Sequence, residues 1–155
     1  MAAAAGWKWT APRSEPTGNR ASARQETDRA IPKHDPGAIW VGCHPASDDH
    51  PRLIQQGVKV FGLRLYRGAL TVAGMSCDGA LAMLLVDGTG KAMTIQFIAP
   101  SGEKRFLPGC PKKGAFHVIG VLTEIIIICE GYATGATIHM ATGYRVVVAV
   151  DSGNL

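Results

Sequence analysis

Long hydrophobic runs are missing from this 155-residue sequence: its most apolar stretch, residues 124–129, falls far short of the roughly 20 residues that a membrane-spanning helix needs. A membrane segment is therefore not expected. Cysteine is sparse as well. Cys43, Cys77, Cys110 and Cys129 are scattered, with no CxxC pair to build a zinc knuckle, so no zinc is expected. Nor do four cysteines in a chain of this size read as the disulfide framework of a small secreted domain, and no leader pattern precedes the domain. Reduced thiols and a cytoplasmic location are the expectation. Charge is modest too: 16 basic and 12 acidic residues give a net charge of +4. A polyanionic partner is compatible with that balance, but a dedicated nucleic-acid coat would be far more basic.

What is present suffices for a packed domain. Hydrophobic residues make up 46% of the chain, which argues against wholesale disorder despite 19 glycines and 9 prolines. Residues 1–37 collect Pro12, Pro16, Pro32 and Pro36 with mixed charges and no hydrophobic period, and read as a disordered or loosely attached tail. Trp7 and Trp9 inside it could dock or stack on bases, but we read them as exposed aromatics of a terminus. Residues 48–57 predict a short helix, with acidic cap candidates, Pro51 in the first turn and Gly57 at the stop. Apolar runs at 63–66, 69–75, 80–86 and 92–98, divided by Gly- and Asp-containing turns, predict antiparallel hairpins. Residues 104–107 and 115–119 extend this meander.

After Gly120 the pattern changes. Residues 125–128 form an unbroken β-branched run, which predicts a strand buried on both faces, as in a parallel sheet. Tyr132, Ala136 and Met140 recur at helical spacing before Gly143, and residues 145–150 are a second apolar β run. The unit reads strand, helix, strand. A crossover of that length is expected to be parallel and right-handed. Glu130 and Asp151 would then lie just beyond the carboxyl ends of the two strands, facing one crevice where they could share or bracket a hard cation such as magnesium. Both could equally be ordinary polar residues beginning loops.

These residues carry a resemblance. The series 128–135 (Ile-Cys-Glu-Gly-Tyr-Ala-Thr-Gly), Ala141-Thr142-Gly143 and 146–155 resembles the Toprim domain of plasmid- and phage-type DNA primases and primase/helicases. Upstream, His50-Pro51, Gly57-Val58, residues 62–66, 96–100 and 102–109 are similar to the segment that precedes Toprim in those proteins. The resemblance leaves the tail over 1–37 unmatched and implies an α+β to α/β chain after it: a primase-type α+β region with a small antiparallel β meander over 38–120, and a partial, Rossmann-like Toprim β-α-β unit over 121–155. It implies that Glu130 is the Toprim glutamate, catalytic and metal-binding, with Asp151 as a second metal ligand and Mg2+ or Mn2+ as cofactor. It further implies RNA primer synthesis on single-stranded DNA from ribonucleotides, and it admits a replicative helicase as partner. The family's second metal motif, of the DxD type, is absent from these 155 residues and would follow Leu155, so activity from the chain alone is expected to be weak or nil.

For nucleic-acid contact the candidates are Arg64, Arg67, Lys104, Arg105, Lys112 and Lys113, mobile cations near turns. An ordinary soluble rim would look the same. The alternative function is accordingly a non-catalytic nucleic-acid-binding or interaction module. His44 beside Cys43, and His117 near Cys110, read as scattered core or surface residues rather than ligands, and His139 as a helix-surface residue.

Overall fold

In a computed structural model of the protein, residues 34–154 are described. Trp7, Trp9 and nearly all of the expected tail lie outside them. The tail's last residues instead open a helix, α1 (Pro36–Gly42). Asp35 caps it, Oδ1 accepting from the Gly37 and Ala38 amides at 2.8 and 3.3 Å, and Pro36 starts it, where a missing amide proton costs nothing. Strand β1 (His44–Pro45) follows. Helix α2 (Pro51–Gln56) occupies the expected place and stops at Gly57, φ 64°. Its cap differs from the expectation. His50 rather than an acid serves, Nδ1 accepting from the Arg52 amide while Nε2 meets the Gly79 carbonyl at 3.0 Å. Asp48 is occupied elsewhere, accepting from the Val60 amide at 2.7 Å.

Strands β2 (Arg64–Leu65), β5 (Leu81–Val86), β6 (Ala92–Ile98) and β7 (Lys104–Phe106) join β1 in an antiparallel sheet of order β1-β2-β5-β6-β7. The run at 69–75, expected as one strand, is instead a ribbon of β3 (Thr71–Val72) and β4 (Met75–Ser76). Ala73 and Gly74 turn it, at φ 47° and 82°, the pair of left-handed residues that a tight hairpin requires. The central pair, β5 and β6, is buried on both faces. Cys77, Ala80, Ala82, Ile95 and Phe97 pack on one side. Leu81, Met83, Leu85 and Ile98 pack on the other, and there they meet the C-terminal elements.

Those elements are β8 (His117–Ile119), β9 (Ile126–Cys129), α3 (Tyr132–Thr142) and β10 (Arg145–Val148). The predicted strand-helix-strand forms, and β9 and β10 are direct parallel neighbours, Val146 opposite Ile127 and Val148 opposite Cys129. Strand β8, expected to extend the meander, instead pairs antiparallel with the other side of β10. One core spans both regions: Leu53, Leu81 and Met83 pack with Ile119, Tyr132, Ala136, Val146 and Val148. The fold is α+β.

The expected two-faced burial of residues 125–128 does not occur. Strand β9 is the edge of its sheet; Ile127 and Cys129 pack inward, but Ile126 and Ile128 are 49% and 61% exposed. An unbroken β-branched run encodes a preference for extended backbone, which does not depend on how many faces a neighbour covers. Met140 departs in the same way: Tyr132 and Ala136 face the core, whereas Met140 at the far end of α3 overhangs it.

Candidate functional site

The site is built where β9 and β10 end. The pairing continues one step past the strands, the Ala149 amide donating to the Cys129 carbonyl at 2.8 Å and the Val150 amide to the Glu130 carbonyl at 2.9 Å. Glu130 and Asp151 therefore leave adjacent parallel strands at the same end, as expected, but only Glu130 lines the cavity there, and Asp151 turns to Lys112. Val150, between strand and acid, has φ 63°; a left-handed backbone is costly for a β-branched residue and is held here by its neighbours. Gly131 then opens α3 with no side chain capping it, so the helix presents its first amides to the same rim.

The two acids differ in what they touch. Glu130 is exposed and lines a cavity of about 480 Å³ with Gly131, Thr134, Val150, Gln96 and Lys104. The Asp151 carboxylate is engaged on both oxygens: Lys112 Nζ lies 2.6 Å from Oδ2, and the Gly153 amide donates to Oδ1 at 2.7 Å. Lys112 and that amide hold its carboxyl below the usual carboxylate range. Among the described residues no three His, Cys, Asp or Glu side chains converge as a metal cluster. Glu130 thus offers one accessible hard-oxygen ligand, which suits a cation that keeps most of its waters, and Asp151 would first have to release Lys112.

The candidate cations are dispersed. Lys104 faces the cavity, and Lys112 bridges Asp151 to the Phe106 ring, its nitrogen 5.2 Å from the centroid. Lys113 is exposed and, among the described residues, has no ion-pair partner. Arg105 pairs with Glu103 at 2.5 Å and Arg67 with Asp78 at 3.8 Å. Arg64 is committed to structure, stacked 4.7 Å over Trp40 and donating to its carbonyl at 3.0 Å. Only Lys104 and Lys112 of the six belong to the rim around the acids.

Over 100 residues, 61% of this chain, the sequence is 39% identical to the DNA primase TraC of Escherichia coli, and a second DNA primase TraC from that organism is 42% identical over 74 residues, 44% of this chain. The chain is primase-related in sequence. The matched stretches are 9% and 5% of those relatives' lengths, so this chain corresponds to a small part of them. No family model and no solved structure matches it.

Sequence reasoning met Gln96 and Tyr132 as members of the resembling series and His117 as a scattered residue, and gave none of the three a part in this region. Gln96 interrupts an apolar strand, and its pairing with Met83 and Phe106 turns it to the face that looks toward Glu130. The strand alternation Thr94, Gln96, Ile98 was the available signal. Tyr132 Oη accepts from the Phe61 amide at 2.7 Å and donates to the Lys59 carbonyl at 2.9 Å, tying the start of α3 to the loop after α2. That loop is 71 residues distant in sequence, so spacing could not reveal the bond.

His117 is held in the same region, 6% exposed, with Nε2 3.0 Å from the Phe61 carbonyl and Nδ1 3.1 Å from the Leu84 carbonyl. Its ring lies 6.0 Å from that of Tyr132. Burial pulls its pKa below the ordinary 6.5, and the two carbonyls oppose that shift only in part. The unfolded chain therefore takes up a proton on this histidine as pH falls through 6.5, while the folded chain resists until lower pH. Stability present above pH 6.5 should decline below it, and in His117→Gln the decline between about pH 7 and 5 should be shallower. Urea midpoints measured across that range check this; equal slopes in the two proteins would assign the acid sensitivity to other groups.

Proposed function

We propose that this primase-related chain carries the opening part of a Toprim-type catalytic unit and takes part in metal-dependent nucleotidyl transfer, making RNA primers on single-stranded DNA from ribonucleotides. The observation that supports the reading is the placement of Glu130 and Asp151 just beyond the carboxyl ends of two adjacent parallel strands, in a sequence related to DNA primase TraC. Glu130 is the catalytic acid and metal ligand of the proposal, and Asp151 the second ligand. A bound Mg2+ or Mn2+ would neutralise charge developing on a phosphoryl group. Lys104 and Lys112 are the cations best placed for substrate or template, and Lys113, Arg105 and Arg67 the outer contacts. A replicative helicase as partner belongs to the same proposal.

A second reading has its own support. Because Lys112 already occupies Asp151, a non-catalytic nucleic-acid-binding module explains the rim as a basic surface with one incidental acid. Magnesium titration followed by NMR separates the two. Under the first, the amides of Glu130, Gly131 and Val150 shift at low millimolar Mg2+, and Glu130→Gln abolishes the shifts while changing stability by less than about 0.5 kcal/mol, since the side chain is exposed. Silence towards Mg2+, with shifts at residues 104–113 on adding oligo(dT), establishes the second.

A further inference from the structure

Two side chains fasten the segment ahead of β8 to the end of β10. Asn154 holds its backbone: Oδ1 accepts from the Gly114 amide at 2.9 Å, and Nδ2 reaches the Lys112, Ala149 and Ala115 carbonyls at 2.9, 3.1 and 3.3 Å. Lys112 takes hold by its side chain, the ammonium lying 2.6 Å from Asp151 Oδ2. The two fastenings are unequal. Asn154 is bonded to four backbone groups, whereas the side chains of Lys112 and Asp151 are 50% and 34% exposed, in the range where ion pairs contribute little. The ammonium also lies 5.2 Å from the centre of the Phe106 ring, a cation–π contact that remains to it if the carboxylate is lost. Lys112 can therefore leave Asp151 without moving the backbone that carries it.

We propose that Lys112 is a latch on Asp151, an internal cation that a divalent ion must displace before this carboxylate can serve as its ligand, leaving the ammonium on Phe106 alone. The latch presupposes the metal role proposed for Asp151. Its physics is local. The Gly153 amide occupies Asp151 Oδ1 and the ammonium occupies Oδ2, so a hard cation has to approach an oxygen that already faces positive charge. A divalent ion and an ammonium on the same oxygen would stand about 4 Å apart, where like charges repel strongly, so each excludes the other. The apparent affinity of Asp151 for the ion is then its intrinsic affinity multiplied by the fraction of molecules with the latch open. Glu130 carries no such guard: it is exposed and, among the described residues, has no ion-pair partner. One acid of the rim is thus open to a cation at all times, and the other only after an exchange.

The test is Mg2+ titration of the full chain, read by NMR at the Glu130 and Gly131 amides and at the Lys112 Cε–H signals. In the wild type the Lys112 signals should move with the same midpoint as the Glu130 amide. Lys112→Met removes the charge but keeps an unbranched apolar stem, and it should tighten Mg2+ binding roughly two- to sixfold, the range set by the modest strength of an exposed ion pair. Lys112→Arg, still able to pair with a carboxylate, should bind Mg2+ no more tightly than the wild type. In an Asp151→Asn background the gain from Lys112→Met should vanish, because the latch then has nothing to close on. Lys112 is exposed, so none of its variants is expected to lose the fold. If Lys112→Met gains nothing, if its gain survives in Asp151→Asn, or if the Lys112 signals stay still while Glu130 saturates, the latch is overturned and the metal role of Glu130 stands. If neither the wild type nor Lys112→Met responds to Mg2+, the metal reading of the rim fails and the latch falls with it. A response seen in Lys112→Met but not in the wild type would show the latch at its most complete.

Discussion

Replacing Tyr132 with phenylalanine should cost about 1–3 kcal/mol, and replacing it with alanine about 3–5 kcal/mol. The phenol oxygen is both acceptor for the Phe61 amide and donor to the Lys59 carbonyl, and the residue is 3% exposed. Removing only the hydroxyl leaves two backbone groups facing a ring edge that can bond neither. Burial also pushes the phenol's pKa up, so the hydroxyl stays protonated and able to donate at any working pH. Alanine removes in addition a ring packed beside His117 in the core shared by the antiparallel sheet and the C-terminal elements. Urea denaturation of the three proteins measures both steps. A loss below about 0.5 kcal/mol for the phenylalanine variant would mean that water replaces the hydroxyl. Because Tyr132 follows Glu130-Gly131 directly, the phenylalanine variant should also broaden the amide signals of the rim.

How far the sequence discloses this arrangement depends on the range of the interactions involved. The β9-α3-β10 unit was legible because strand pattern, helical spacing and a terminal glycine all lie within a single stretch of chain, and the parallel register with both acids at one rim follows from them. Helix α2 was legible for the same reason, from Pro51 to Gly57. Its cap was not. His50 and the two acids before it are all capable acceptors, and only the position of the Val60 amide, which draws Asp48 away, decides among them. The fate of Asp151 was hidden in the same manner, since its partner Lys112 is 39 residues away. Strand β8 shows the limit from the other side: its residues read correctly as a strand, but nothing local says which sheet will accept it. The bare face of Ile126 and Ile128 is the complementary case, a strong local signal whose environment the tertiary structure leaves open.

The approach of α3 to its sheet sets the second large expectation. A Cβ added at Gly135 would lie 3.0 Å from Val148 Cγ2, 3.1 Å from Cys129 Sγ and 3.3 Å from Ile119 Cδ1, one atom from each of the three strands. Glycine in a helix interior sacrifices about 1 kcal/mol relative to alanine, so its presence here has to be matched by closeness of packing. Alanine should therefore be near neutral, its propensity gain offset by shifts of a few tenths of an ångström in three side chains. Leucine cannot be accommodated that way and should cost about 1–3 kcal/mol or more by overpacking. The functional consequence is sharper than the energetic one. Helix α3 starts at Tyr132, just after its N-cap Gly131, and β9 ends beside Glu130, so lifting the helix off Cys129 and Val148 moves its first amides away from the carboxylate rim. In Gly135→Leu, thermal stability should fall and the Mg2+-induced shifts of Glu130 and Gly131 should weaken together, whereas Gly135→Ala should keep both. A leucine variant that unfolds more readily but responds to Mg2+ unchanged would show that the rim is fixed by the strand ends alone, through the bond from Val150 to the Glu130 carbonyl, and not by the seating of the helix.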